Sequence, residues 1–197
     1  MKNVLLINGH EPYAFAEGKF NSSMLSAIEN KLKGDYKITT TVIKDGYDIE
    51  EEQEKFKAAD LIIFQFPIYW FSTPAMMKKY LDQVYAHGVF FGIGDEAQKY
   101  GYGNGMMNGK KYMFSITSNA PYEAFNDADG FFEGRDLEDF LFHMHKTNQF
   151  CGMEPLKSFG AFNVIKSPQV KNDIERLNKH MEDVVIKALS ETQISNN

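Results

Sequence analysis

Short apolar runs alternate with amphipathic stretches from one end of the chain to the other, and this alternation restricts the fold more than any other feature. Asn3 to Asn8 is a brief apolar run closed by Asn-Gly, the pattern of a strand buried on both faces of a parallel sheet. Asp60 to Phe66 (Asp-Leu-Ile-Ile-Phe-Gln-Phe) repeats the pattern, and Pro67 stops it. Lys37 to Lys44, rich in Thr, Val and Ile, predicts a more polar strand at a sheet edge. Lys110 to Thr117 and Leu156 to Val164 predict a fourth and a fifth strand. Between them, Met24, Leu25, Ile28 and Leu32 fall at helical spacing, with Lys33-Gly34 as the stop. Ile49 to Ala59 reads as a short acidic helix. Thr73-Pro74 predicts a helix start, with Thr73 as N-cap, Pro74 at the first helical position and the helix continuing over 75–86. Leu137, Phe140, Leu141 and Met144 share a helical face, and Ile174, Leu177, Met181, Val184, Val185 and Ala188 mark the longest amphipathic helix.

Such a succession implies right-handed crossovers and an open parallel sheet covered by helices on both faces. The expected fold is α/β, a doubly wound five-stranded parallel sheet of order 2-1-3-4-5. With 197 residues and no repeat, low-complexity segment or Pro/Gly/Ser linker, residues 1–197 are expected to form one domain, with a polar, frayed tail from about Glu191. The net charge of -6 argues against a nucleic-acid partner, because phosphate neutralisation needs clustered Lys and Arg. No run of about 18 apolar residues exists, so no integral membrane segment is expected. Val4 to Ile7 is too short for the apolar core of a signal peptide. The single cysteine, Cys151, cannot form an internal disulfide and suits a reducing cytoplasm.

In sheets of this kind ligands bind outside the carboxyl ends of the strands, where the strand order reverses. The loops expected there follow strands one, three and four. The first, Gly9 to Phe20, leads into Asn21-Ser22-Ser23 at a helix start. Free N–H groups and the helix dipole make that terminus suitable for phosphate, the Asn and Ser side chains add donors, Gly18 permits close backbone approach, and Lys19 adds positive charge; an ordinary capped helix is the plainer alternative. The second, Pro67-Ile68-Tyr69-Trp70-Phe71-Ser72-Thr73, places three aromatics in a row on a connection. These suit a flat conjugated ligand, a dimer interface, or both. The third, Ser118-Asn119-Ala120-Pro121-Tyr122-Glu123-Ala124-Phe125, offers Ser and Asn to the edge of such a ring and Tyr122 and Phe125 to its face. Taken alone it also reads as a turn.

Other signals are rejected. There is no P-loop. Gly92-Ile-Gly94-Asp-Glu-Ala97 matches a dinucleotide string, but the glycine-broken residues after it cannot carry the helix that motif needs. His143 and His145 lie two apart on a helix and point about 200° from each other, so no metal site is expected. Cys151 reads as a buried thiol rather than a nucleophile.

Several longer segments carry a family resemblance: Asn3-Val-Leu-Leu-Ile-Asn-Gly9, Gly18-Lys-Phe-Asn21, Lys78 to Tyr85, Gly109 to Thr117, Asn119-Ala-Pro-Tyr-Glu-Ala-Phe125, and His145-Lys-Thr-Asn-Gln-Phe-Cys-Gly-Met-Glu-Pro-Leu156. In these the chain resembles the modulator of drug activity B family of NADPH:quinone oxidoreductases, within the flavodoxin-like quinone reductase group, from about Asn3 to about Leu189. The resemblance implies a homodimeric enzyme that binds FAD non-covalently, FMN being the less expected flavin. It also implies ping-pong transfer of hydride from NADPH through flavin N5 to a quinone. Reduction of azo or nitro compounds on the same flavin, or service as a flavin-binding ancillary subunit that regulates a membrane transporter, are the alternatives. Carried over residue by residue, the cofactor-binding positions are Ala16, Glu17, Gly18, Lys19, Phe20, Asn21, Ser22 and Ser23; Pro67, Ile68, Tyr69 and Trp70; Tyr100; and Thr117, Ser118, Asn119 and Ala120. Tyr100 is preferred to Tyr102 because Lys99-Tyr100-Gly101 keeps the family's local order. The family often has tryptophan where Tyr69 and Ser118 stand here, so the surroundings of the ring differ. No catalytic acid is assigned; for His145 a structural hydrogen bond is the favoured role.

Overall fold

The structure, a computed structural model, describes residues 1–92 and 104–194. Six parallel strands form one sheet. Strands β1 (Asn3–Asn8), β2 (Lys37–Val42), β3 (Leu61–Pro67) and β4 (Lys111–Thr117) lie in the order β2-β1-β3-β4, and the far edge is made of two short pieces, β5 (Glu154–Pro155) and β6 (Phe159–Ala161), both paired with β4. The expected order 2-1-3-4-5 is therefore the observed one, with the fifth position divided.

Apolar strand residues alternate between two cores, as the two-residue period of a strand requires. Leu5, Ile7, Ile62, Phe64, Phe66, Tyr112 and Phe114 pack with α2 (Ile49–Ala58), α3 (Ala75–Val84) and α5 (Phe142–Phe150). Val4, Leu6, Leu61, Ile63 and Met113 pack beneath α1 (Lys19–Leu32) and α6 (Val170–His180). The helix that begins as α6 continues through a π-helical stretch, Met181–Ile186, into α7 (Lys187–Ile194), so its backbone stays helical past Glu191. Among the described residues no helix is long and apolar enough to cross a membrane.

Three boundaries differ from the sequence reading. The strand expected over 156–164 is broken. Leu156 N still donates to Tyr112 O, but Ser158 turns aside, donating from its N–H (2.7 Å) and its hydroxyl (2.8 Å) to Glu138. Beyond Ala161, Asn163 N and Val164 N donate to Ala120 O and Ser118 O, so this stretch serves a loop rather than the sheet. The helix expected through Leu137 and Met144 is two helices, α4 (Leu137–Phe140) and α5, divided at Leu141. Finally, α3 starts at Ala75 with Pro74 as N-cap and ends at Val84; Thr73 supplies no cap.

His145 has the structural role expected of it. Its Nδ1 hydrogen-bonds the buried Tyr112 hydroxyl (2.8 Å), and its Nε2 meets the Glu138 carboxylate (2.7 Å). Burial pushes the Glu138 carboxyl up, but bonds from His145 and Ser158 outweigh it and leave the group below its ordinary range. Cys151 is buried, and burial pushes its thiol up to about 12, which suits a packing role.

A second polar cluster joins β2, α2 and α3. Glu52 is fully buried in the first turn of α2. The Thr41 hydroxyl lies 2.9 Å from both of its carboxylate oxygens, the Tyr80 hydroxyl donates to it at 2.5 Å, and Lys55 forms an ion pair with it.

Candidate functional site

The loops after β1, β3 and β4 meet at the carboxyl edge of the sheet, where β1 separates from β3. Gly9 N donates to Gln65 O (2.9 Å), Ile68 N to Thr117 O (2.8 Å), and Ser118 N to Ala161 O (2.8 Å), so each loop leaves the sheet braced by its neighbour.

The first loop turns back on itself through paired Tyr13–Ala16 backbone bonds. His10 is buried inside it; its N–H donates to Asn8 Oδ1 (3.1 Å) and its Nε2 bonds the Ala16 carbonyl (3.0 Å). Gly18 follows at φ 82°, and a Cβ there would lie 2.4 Å from the His10 ring. Glycine is needed at this position for both reasons. Helix α1 starts at Lys19 with no side-chain cap and no acid in its first turn. By contrast α2 is capped by Asp48 and carries Glu50, Glu51 and Glu52 in its first turn. The uncapped N–H groups of α1 are the ones an anion could use.

Side chains expected to add donors there are partly committed elsewhere. Asn21 is buried: its Nδ2 donates to Asn8 Oδ1 (2.9 Å) and its Oδ1 accepts from Gln65 Nε2 (3.0 Å). Ser23 Oγ donates back to Lys19 O (3.0 Å), while Ser22 is exposed. Phe20 packs partly into the core under α1, Ala16 offers its carbonyl to His10, and exposed Glu17 and Lys19 pair with each other. What α1 presents is therefore backbone, with Asn21 as an internal brace.

The second loop holds a tight turn. Tyr69 and Ser72 exchange backbone bonds (2.9 and 3.1 Å), and the residues between them, Trp70 (φ 46°) and Phe71 (φ 62°), are both in the left-handed region. Such turns are ordinarily made of Asn and Gly. Trp70 is 93% exposed, so within one chain it stands free rather than walling a pocket. Pro67 is buried and Ile68 half-buried. The Tyr69 hydroxyl donates to Glu11 O (2.9 Å), and burial, with Tyr13 and Glu11 adding to it, pushes its ionisation up to about 12. Glu11 also takes the Met76 N–H on its carboxylate (2.9 Å), the task the sequence reading gave to Thr73.

Aromatic pairs rim the opening. Tyr13 stacks on Phe15 at 5.6 Å and meets Tyr69 edge-on at 5.3 Å; across from them Phe71 stacks on Phe131 at 5.4 Å. In the third loop Thr117 and Ser118 are buried, and Ser118 Oγ accepts from Ala120 N (3.1 Å). Asn119 Oδ1 accepts from Ile165 N and Lys166 N, which leaves its amide NH₂ as the end available to a ligand. Phe125 is buried among Phe132, Phe140 and Phe162 and does not close the face of a bound ring. Tyr100 and Tyr102 fall within residues 93–103, outside the described residues. A groove of about 1110 Å³ opens beside Ser72 and Thr73 and runs between α3 and α5, with Leu81, Tyr85, Phe91 and Phe150 on its walls.

The residues missed by the sequence reading are Asn8, His10, Glu11 and Gln65. Asn8 and Gln65 did carry a signal: each is a polar residue at the carboxyl end of an otherwise apolar strand.

The sequence pattern of the flavodoxin-like fold family matches residues 2–185. The chain belongs to that family. Within it, NADPH:quinone oxidoreductase MdaB of Haemophilus influenzae is 36% identical over 190 residues, covering 92% of this chain and 98% of the relative. A candidate quinone reductase from Klebsiella pneumoniae superposes with a TM-score of 0.77 at 25% identity, over 92% of this chain and 84% of its own. General stress protein 14 of Treponema denticola, solved with FMN, shares the fold at TM-score 0.70 and 20% identity, over 93% and 99% of the two chains. The uncapped start of α1 fits a flavin phosphate, while the space a Cβ at Gly18 would need is filled by the His10 ring.

Proposed function

We propose that the chain is a flavin-dependent oxidoreductase that moves two electrons from NADPH to a quinone. The observation that carries the reading is the meeting of an uncapped helix N-terminus with an aromatic turn at the point where the strand order reverses. When bound, a flavin would supply the hydride-transfer chemistry between NADPH and the acceptor. The chain supplies the rest. The first-turn N–H groups of α1 and Gly18 hold phosphate, and Asn8, Asn21 and Gln65 keep that helix start fixed to the sheet. Ile68, Tyr69 and the NH₂ of Asn119 would flank the ring. Flat rings at the opening suit a flat acceptor.

The flavin in this reading is FAD, because the long first loop with its Tyr13–Phe15 stack gives wall beyond the phosphate position. The working unit is a homodimer in the cytoplasm. Exposed Trp70, Phe71, Phe15 and Phe131 and the apolar groove beside them form one surface that a two-fold partner would cover.

Steady-state rates test the reaction. Double-reciprocal plots at several quinone concentrations are expected to be parallel, kcat/KM to be higher with NADPH than with NADH, and a quinone series to outrun an azo dye. Intersecting lines would overturn the two-step order, and a preference for NADH or for the azo dye would overturn the corresponding assignment. Specific activity should fall on dilution together with the dimer mass measured by sedimentation; a fully active monomer would remove the second chain from the site.

A further inference from the structure

Glu11 grips the second loop on both sides of its turn. Its backbone carbonyl accepts from the Tyr69 hydroxyl before the turn, and its carboxylate accepts from Met76 N–H after it, each at 2.9 Å. Both contacts run from the first loop to the second loop and the start of α3, so one residue draws these segments together. Between the two grips stand Trp70 and Phe71 in the left-handed region, where a Cβ is crowded and where bulky residues persist only if their surroundings hold them. The paired Tyr69–Ser72 backbone bonds close the turn, but its side chains add little hold: Trp70 projects into solvent, and Phe71 leans on Phe131 and Phe132 at the tip of another loop.

We propose that Glu11 is the positioning residue of this aromatic turn. By clasping Tyr69 and the start of α3 it fixes Trp70 and Phe71 at the opening and so sets how a flat acceptor is received. The functional half of the inference rests on the reductase reading above; the structural half does not. The clasp needs an acceptor oxygen rather than a charge, so an amide at position 11 should preserve it and a methyl group should not.

The chain has a single tryptophan, Trp70, whose fluorescence therefore reports the turn directly. The test compares the full-length protein with its Glu11→Gln and Glu11→Ala variants. Time-resolved anisotropy of Trp70 is measured without flavin, and KM for a benzoquinone and for NADPH with it. In Glu11→Ala the fast, local part of the anisotropy decay should grow and KM for the quinone should rise about tenfold, a modest share of what an ångström of misplacement can cost. KM for NADPH should rise with it, because in the ping-pong reading both substrates approach the same flavin N5. Glu11→Gln should match the parent in all three. If Glu11→Ala does not fold, Tyr69→Phe severs the other grip and should give the same loosening of Trp70. A folded Glu11→Ala that melts earlier but keeps the parent's anisotropy decay and quinone KM would overturn the proposal. A parent protein that binds no flavin would end the reductase reading, while the anisotropy comparison would still decide the clasp.

Discussion

Gly18→Ala is expected to abolish flavin binding and to lower the melting temperature of the flavin-free protein by about 6–12 °C. The backbone at Gly18 is in the left-handed region, and the new Cβ would sit 2.4 Å from the buried His10 ring. Left-handed strain for a residue with a side chain costs about 1–3 kcal/mol. His10 must also give up its place against Ala16 O, so the total is about 3 kcal/mol, and a chain of this size loses about 2–4 °C per kcal/mol. The loss of binding has its own cause. Relief of the clash moves the Ala16–Gly18 backbone, which is the entry to the first turn of α1. Thermal melts of the flavin-free variant and retention of flavin on gel filtration check the two parts separately. A variant that keeps its flavin would show that the first loop does not hold phosphate.

Glu52→Ala is expected to cost about 3–5 kcal/mol, the penalty for removing one partner from a buried charged network. The Tyr80 and Thr41 hydroxyls would each lose the acceptor they meet in the core, and Lys55 its ion pair. Glu52→Gln should cost less, because an amide oxygen still accepts from Tyr80 or Thr41. Urea denaturation of the parent and both variants provides the check. Equal losses in the two variants would mean that the charge, not the hydrogen bonding, holds the cluster.

These two sites differ in how far the sequence revealed them. The sheet was readable because β1, β3 and β4 are buried on both faces and therefore run apolar without interruption. The order of the strands followed from alternation alone. The break between β5 and β6 was not readable: Ser158 leaves the sheet for Glu138, twenty residues earlier in the chain, and the same carboxylate reaches His145 beside the division of α4 from α5. No local pattern around Leu156 or Leu141 carries that information.

The candidate site shows the same division. Its three loops were legible from position, since the carboxyl edge of a doubly wound sheet is where ligands bind. The roles of individual side chains were less so. Asn21 and Ser23 looked like phosphate donors, yet Asn8 and Gln65 arrive from two strands to engage Asn21, and Ser23 folds back on Lys19. Trp70 looked like a wall and stands in solvent, because the backbone at 70 and 71 turns left-handed. Glu11 carried no signal of its own, because its partner Met76 lies 65 positions away.

The central claim is that these loops hold a flavin, and the most direct test is the visible absorption spectrum of the purified protein, followed by chromatography of whatever heating releases. The predicted result is the two-banded spectrum of an oxidised flavin that bleaches when NADPH is added without air, with FAD recovered on release. Recovery of FMN would correct the cofactor and leave the fold and site in place. A colourless protein that takes up neither FAD nor FMN on reconstitution would contradict the account.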